Sequence, residues 1–173
     1  MRAGLVLVLG GARSGKSRFA EKLVAESGLE PVYIATAEAG DAEMAERIAH
    51  HRARRGGQWR TVEAPLALEA ALQTEADEGR AVLVDCLTLW LSNLMHAGAD
   101  LEERTSSLCQ AARCVPGLKI LVSNEVGLGL VPETPLGRKF RDAQGRLNQA
   151  VAELADRVVF VAAGLPLDLK GTA

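Results

Sequence analysis

Gly10-Gly11-Ala12-Arg13-Ser14-Gly15-Lys16-Ser17 decides how the rest of this chain is read. It fits the spacing G-x-x-x-x-G-K-[ST], and an apolar run, Gly4–Leu9, reads as a strand before it. Ser17–Ser27 follows with Phe19, Ala20, Leu23 and Val24 at helical spacing, and Gly28 is a natural stop. Glycines in such a strand–loop–helix let the backbone turn tightly, so that successive N–H groups point inward at phosphate oxygens. The helix N-terminus adds its partial positive charge. Lys16 is expected to reach the β and γ phosphates, and the Ser17 hydroxyl to hold Mg²⁺. The stretch Gly10, Gly11, Ala12, Arg13, Ser14, Gly15, Lys16 and Ser17 is therefore the candidate triphosphate cradle, with Lys16 as a candidate catalytic residue. A glycine-rich turn whose Lys and Ser are incidental fits the sequence and its context less well. The loop alone names no reaction, since kinases, ATPases, GTPases and nucleotide sensors all use it.

Outward from the loop, short apolar runs alternate with longer helical patterns. Pro31–Ala35, Ala81–Val84, Leu118–Val122 and a final run, Val158–Ala162, read as strands, and Trp59–Glu63 as a short extended piece. Helices are expected over Asp41–Arg55, Leu66–Ala76, Leu87–Met95, Leu101–Cys114 and Thr134–Asp156, with a Gly-rich loop at Asn124–Pro132. Unbroken β-branched runs suit strands buried on both faces. Alternation with helices then implies an α/β fold with a mainly parallel sheet and helices on both faces. The long last helix is expected to bury Phe140, Ala143, Leu147, Val151 and Leu154. Arg138, Arg141, Gly145 and Asn148 form another stripe, facing substrate, a second subunit or solvent.

The chain has 173 residues, the size of a single domain, and neither repeats nor a flexible linker divide it. Hydrophobic residues at 48% and charged residues at 24% exclude a disordered chain. Only 3% of residues are aromatic, too few for base-stacking platforms, and a net charge of −2 provides no global field for nucleic acid. Cys86, Cys109 and Cys114 form neither a CxxC pair nor a metal spacing, which fits a reducing compartment. Leu5–Leu9 is too short to span a membrane and lacks a cleavage-site pattern. A cytoplasmic protein is expected.

Two further features bear on chemistry. Ala81-Val82-Leu83-Val84-Asp85 ends a buried strand in an acid, at the sheet edge where ligands bind in such folds. Asp85 is the candidate Mg²⁺ partner of Ser17; capping of the helix that begins near Leu87 is a compatible alternative. In the segment Glu43–Arg55, helical geometry puts Met44 and Ile48 on the buried face with His51 at its edge, while His50 lies beside Arg47 and Arg54 on the polar face. Neutral imidazole is a good nucleophile towards phosphorus, and neighbouring guanidinium groups oppose its protonation. On these residues alone, a solvated mixed-charge helix with surface histidines is the simpler reading.

Several separate segments also match one family. Besides the phosphate loop they are Tyr33-Ile34-Ala35-Thr36, Arg47-Ile48-Ala49-His50-His51-Arg52 and Trp59-Arg60-Thr61-Val62-Glu63. Asn124-Glu125-Val126-Gly127-Leu128-Gly129-Leu130-Val131-Pro132-Glu133 and Phe140-Arg141-Asp142-Ala143-Gln144-Gly145-Arg146-Leu147-Asn148-Gln149 complete the set. Over almost its whole length the chain resembles the bifunctional adenosylcobinamide kinase / adenosylcobinamide-phosphate guanylyltransferase family of cobalamin biosynthesis.

That resemblance implies a RecA-like P-loop fold, a homotrimer, and two reactions on one chain. Adenosylcobinamide is phosphorylated on its aminopropanol arm by a nucleoside triphosphate, ATP or GTP. GMP is then transferred from GTP to that phosphate through a guanylylated histidine, which the motif aligns with His50. It also implies nucleotide contacts at Ala37, Glu38 and Ala39, at His51, Arg52, Ala53 and Arg54, and at Glu63 and Asp85. Asp85 is one methylene shorter than the Glu a family member carries there. Two competing readings are a P-loop kinase of another small metabolite with no covalent GMP step, and a non-enzymatic nucleotide-sensing module. Glu125 is a candidate base or hydroxyl-orienting group for the kinase step; hydrogen bonding within its own Gly-rich loop is the alternative.

Overall fold

A computed structural model describes residues 3–37 and 57–171. Its strands are β1 (Gly4–Gly10), β2 (Glu30–Ala35), β3 (Arg60–Glu63), β4 (Arg80–Asp85), β5 (Leu118–Asn124), β6 (Arg157–Ala162) and β7 (Leu165–Lys170). The helices are α1 (Lys16–Ser27), α2 (Leu68–Glu75), α3 (Leu87–His96), α4 (Leu101–Cys114) and α5 (Pro135–Leu154). The expected helix Asp41–Arg55 lies outside the described residues.

All seven strands form one sheet in the order β3-β2-β4-β5-β1-β6-β7. Every neighbouring pair is parallel except β6–β7, which is antiparallel. The mainly parallel α/β sheet with helices on both faces is thus as expected. Side chains alternate along each strand and split the core in two. Leu5, Leu7 and Leu9 of β1 face a core built with Leu68, Leu72, Trp90, Leu94, Leu108 and Leu147 of α2–α5. Val6 and Val8 face the other way, against Ala20 and Val24 of α1.

Trp90 anchors the first of these cores. Its side chain is fully buried, and its Nε1–H donates to the Leu66 carbonyl at 3.0 Å. The Arg104 guanidinium lies 5.9 Å from the ring centroid and makes a bidentate pair with Glu69 on α2. Truncating so large a buried ring leaves a cavity, and the Leu66 carbonyl keeps only the Arg104 guanidinium as a donor. Trp90→Ala is expected to cost about 3–5 kcal/mol, a large share of the ~5–15 kcal/mol typical of a domain. Urea unfolding measures this, and a loss below about 1 kcal/mol would contradict the assignment.

The structure corrects three expectations. Val158–Ala162 is not the final strand: Ala163 and Gly164 turn the chain back into β7 with φ of 52° and 79°. Left-handed backbone at both turn positions is the geometry of a tight hairpin, although alanine is an unusual occupant of it. Phe140 and Leu154 pack against the core but are only partly buried. Asn148 is buried, not on an outward stripe. It shares a helix face with Gln144, Leu147 and Val151, and its amide finds polar partners there.

Candidate functional site

The glycine loop leaves the carboxyl end of β1 under tight backbone constraint. A Cβ on Gly10 would lie 2.5 Å from the Val161 carbonyl oxygen of β6. Gly15 has φ +96°, and a Cβ there would lie 3.1 Å from the Cα of Gly164. Close approach to backbone therefore requires glycine at position 10, while at position 15 the left-handed backbone, with a tight contact beside it, favours glycine. The Gly164 N–H donates to the Ser14 carbonyl at 2.8 Å, and the Glu125 N–H to the Gly10 carbonyl at 3.1 Å. Neighbouring strands thus hold the loop from outside.

Inside it, Lys16 is buried and its Nζ donates to the Gly11 carbonyl at 3.0 Å. Ala12 and Arg13 are exposed, Gly11 and Ser17 half-exposed. The Ser14 Oγ is buried without a hydrogen-bond partner. An orphaned hydroxyl costs about 1–3 kcal/mol unless a ligand satisfies it, and a phosphate oxygen in the cradle is a suitable acceptor.

The acidic positions are brought to the same edge by strand register. Ala35 pairs with Glu63 on one side and Asp85 on the other, and Asp85 pairs with Val122. β5 separates β4 from β1, so Asp85 stands roughly 10 Å from the loop strand, two inter-strand spacings away. The charges of Lys16 and Asp85 both act on the buried Cys86 thiol. Burial chiefly, then Asp85, pushes that thiol up to about 11, so it stays protonated and unreactive at neutral pH. The capping alternative for Asp85 finds no support. The N-cap of α3 is Cys86, and no side-chain cap hydrogen bond forms there.

Mg²⁺ prefers hard oxygen ligands and takes few from protein when a nucleotide phosphate supplies the rest. The Ser17 hydroxyl and the Asp85 carboxylate are such donors. Among the described residues no group of three or more His, Cys, Asp or Glu forms a metal cluster. Two hard oxygen donors fit a cation whose remaining ligands come from a nucleotide.

Ala37 is half-buried just beyond β2, and Glu63 is exposed at the end of β3, both at this edge. Glu38, Ala39, His50, His51, Arg52, Ala53 and Arg54 lie outside the described residues. Glu125 Oε1 accepts from the Gly127 N–H at 2.6 Å, which favours a loop-shaping role over a free base.

Two polar groupings were not singled out from sequence. Gln144 Nε2 donates to Ser123 Oγ at 2.9 Å and to Asn148 Oδ1 at 3.0 Å, while Asn148 Nδ2 donates to the Asn124 carbonyl at 3.1 Å. This buried cluster ties α5 to the end of β5 beside the loop. Thr36 bonds the backbone of Cys86 through its hydroxyl. Buried amides and hydroxyls at strand ends were the available signal, since burial obliges them to find partners.

Comparison with known proteins agrees with this geometry. The family described as cobinamide kinase / cobinamide phosphate guanyltransferase matches residues 6–169. The bifunctional adenosylcobalamin biosynthesis protein CobP of Pseudomonas aeruginosa is 58% identical over 167 residues, covering 95% of this chain and 96% of the relative. The bifunctional adenosylcobalamin biosynthesis protein CobU of Escherichia coli is 40% identical over 181 residues, covering 96% and 99%. Among solved structures, flagellar accessory protein FlaH of Methanocaldococcus jannaschii matches with a TM-score of 0.55 at 13% identity, covering 98% of this chain and 79% of that one. An ATPase from the type III secretion system of pathogenic bacteria matches with a TM-score of 0.58 at 11% identity, covering 95% and 56%. These structural likenesses speak for the fold alone. By its sequence, over nearly its full length, the chain belongs to the cobinamide kinase / cobinamide phosphate guanyltransferase family.

Proposed function

We propose that this enzyme of cobalamin biosynthesis, a bifunctional kinase and guanylyltransferase, serves both reactions from one triphosphate cradle, Gly10–Ser17, within a single domain spanning residues 1–173. The observation that carries this reading is the loop itself: a buried Lys16 and an orphaned Ser14 hydroxyl beside an edge that carries Asp85.

Loop amides and Lys16 hold the β and γ phosphates and offset the charge that grows on them. Ser17 and Asp85 would hold Mg²⁺, which when bound supplies further charge neutralisation on the triphosphate. In the kinase reaction the hydroxyl on the aminopropanol arm of adenosylcobinamide attacks the γ-phosphorus of ATP or GTP, and a nucleoside diphosphate leaves. In the transfer reaction a neutral imidazole nitrogen of His50 attacks the α-phosphorus of GTP. An N–P bond forms as the bond to the bridging oxygen breaks, and pyrophosphate leaves. An oxygen of adenosylcobinamide phosphate then attacks the same phosphorus. The N–P bond breaks, adenosylcobinamide-GDP forms, and the imidazole is restored. Splitting the substitution keeps GMP activated until the second substrate arrives. Arg52 or Arg54 steadies the α-phosphate, and Ala37, Glu38, Ala39, His51, Ala53 and Glu63 complete the nucleotide contacts.

A homotrimer is the assembly we propose, with the corrinoid bound between subunits, because one small domain offers little room for so large a substrate. Leu165, Leu167 and Leu169 leave apolar surface exposed along β7, which supports self-association. Among the described residues no helix is long and apolar enough to cross a membrane. A cytoplasmic setting is proposed from that and from the free cysteines.

One incubation tests the function. The protein is mixed with α-labelled GTP, ATP and adenosylcobinamide, then protein and corrinoids are analysed by mass spectrometry. The expected result is adenosylcobinamide phosphate, adenosylcobinamide-GDP and a GMP adduct on His50. Phosphorylated corrinoid with neither adduct nor GDP product would reduce the chain to a kinase. Nucleotide binding with no corrinoid product would reduce it to a sensor.

A further inference from the structure

Thr36 follows the last residue of β2 and has no exposed surface. Its Oγ1 donates to the Cys86 carbonyl at 2.7 Å and accepts from the Cys86 N–H at 2.9 Å. One hydroxyl therefore holds both backbone polar groups of the residue that follows Asp85. The β2–β4 ladder ends at Ala35 and Asp85, so Cys86 has no ladder partner on β2. Its buried N–H and carbonyl must find partners elsewhere, and the threonine hydroxyl is one for each.

The clip is itself anchored. Asn93 Nδ2, from α3, donates to the Thr36 carbonyl at 2.8 Å and to the Pro65 carbonyl at 3.1 Å. Three segments are thereby fixed to one another at the nucleotide edge: the end of β2, the chain just beyond β3, and the junction of β4 with α3. Asp85 lies on that junction. A carboxylate contributes most to a charged ligand when its backbone is already set before the ligand arrives. Outer groups that orient a ligating side chain are worth roughly 10–100-fold in metal affinity.

We infer that Thr36, held by Asn93, is a positioning residue that presets the Asp85 carboxylate for the nucleotide-bound cation. The inference rests on the assignment of Asp85 given above. It adds that the aspartate's effectiveness is governed by a hydroxyl at the end of the adjacent strand that touches neither nucleotide nor cation. Valine at position 36 keeps the shape and removes both hydrogen bonds; serine keeps the hydroxyl.

The test compares the parent protein with Thr36→Val, Thr36→Ser, Asn93→Ala and Asp85→Asn. Each is melted thermally and then titrated with N-methylanthraniloyl-GTP, once with Mg²⁺ and once with EDTA. The quantity read is the gain in affinity that Mg²⁺ confers. Thr36→Val is expected to lower that gain by about tenfold with its EDTA affinity unchanged. Thr36→Ser is expected to restore it, Asn93→Ala to lower it less, and Asp85→Asn to lose it. A merely structural role would lower the melting temperature and leave the gain intact. If Asp85→Asn loses the gain while Thr36→Val keeps it, the positioning role is overturned. If Asp85→Asn keeps it, the assignment of Asp85 itself fails, and the inference with it. Should Thr36→Val not fold, Asn93→Ala decides: an undiminished gain overturns the inference.

Discussion

Lys16→Ala is expected to abolish both reactions together, each by roughly 10²–10³-fold. The side chain is buried within the loop and hydrogen-bonded to the Gly11 carbonyl, so its ammonium is already held inside the proposed cradle. Such a preset charge in a water-poor site needs no reorganisation when the bond breaks. In the proposed mechanism both reactions load a triphosphate into the same cradle, so one substitution strikes both. Lys16→Arg is not a rescue, because a planar guanidinium is bulkier than an ammonium and the position is closed to solvent. Steady-state kcat/KM for corrinoid phosphorylation and for guanylyl transfer, measured on the same preparation, checks this. Loss of one reaction with the other intact would mean that the two use different triphosphate sites.

His50→Ala is expected to separate what Lys16→Ala joins. Guanylyl transfer should fall by more than roughly 10³-fold, since the covalent route loses its nucleophile. The GMP adduct should vanish, while phosphorylation of adenosylcobinamide continues because its attacking atom belongs to the substrate. Mass spectrometry after incubation with GTP gives the adduct, and chromatography of the corrinoids gives the two products. Transfer persisting in His50→Ala, with no adduct on the parent protein, would exclude the covalent route. An adduct that persists in the variant and maps to His51 would reassign the nucleophile to the next residue.

These two substitutions differ in how the sequence exposes them. Lys16 is legible because strand, glycine loop and helix are contiguous, so spacing alone places the ammonium and the amides together. Asp85 is legible as an acid ending a buried run, and register then sets it in line with Ala35 and Glu63. His50 rests on the family resemblance and on helical geometry, and its position lies outside the described residues. Thr36 escaped notice because its partner, Cys86, is fifty residues away, and such pairings are set by topology rather than by local pattern. Asn148 departs from its expected stripe for a related reason. Amides on an amphipathic helix look solvated until a second polar group, here Ser123, meets them in the interior. β7 was missed because its run, Leu-Pro-Leu-Asp-Leu-Lys, carries a proline and follows β6 after only two residues. Proline is tolerated there because β7 is an edge strand with β6 on one side only.

The hairpin that joins β6 to β7 gives the anion cradle a mechanical neighbour. The Gly164 amide is bonded to the Ser14 carbonyl, and a Cβ at Gly15 would press against the Gly164 backbone. The edge ribbon and the loop therefore share a backbone hydrogen bond and a tight approach, so bulk added at position 15 would press on both at once.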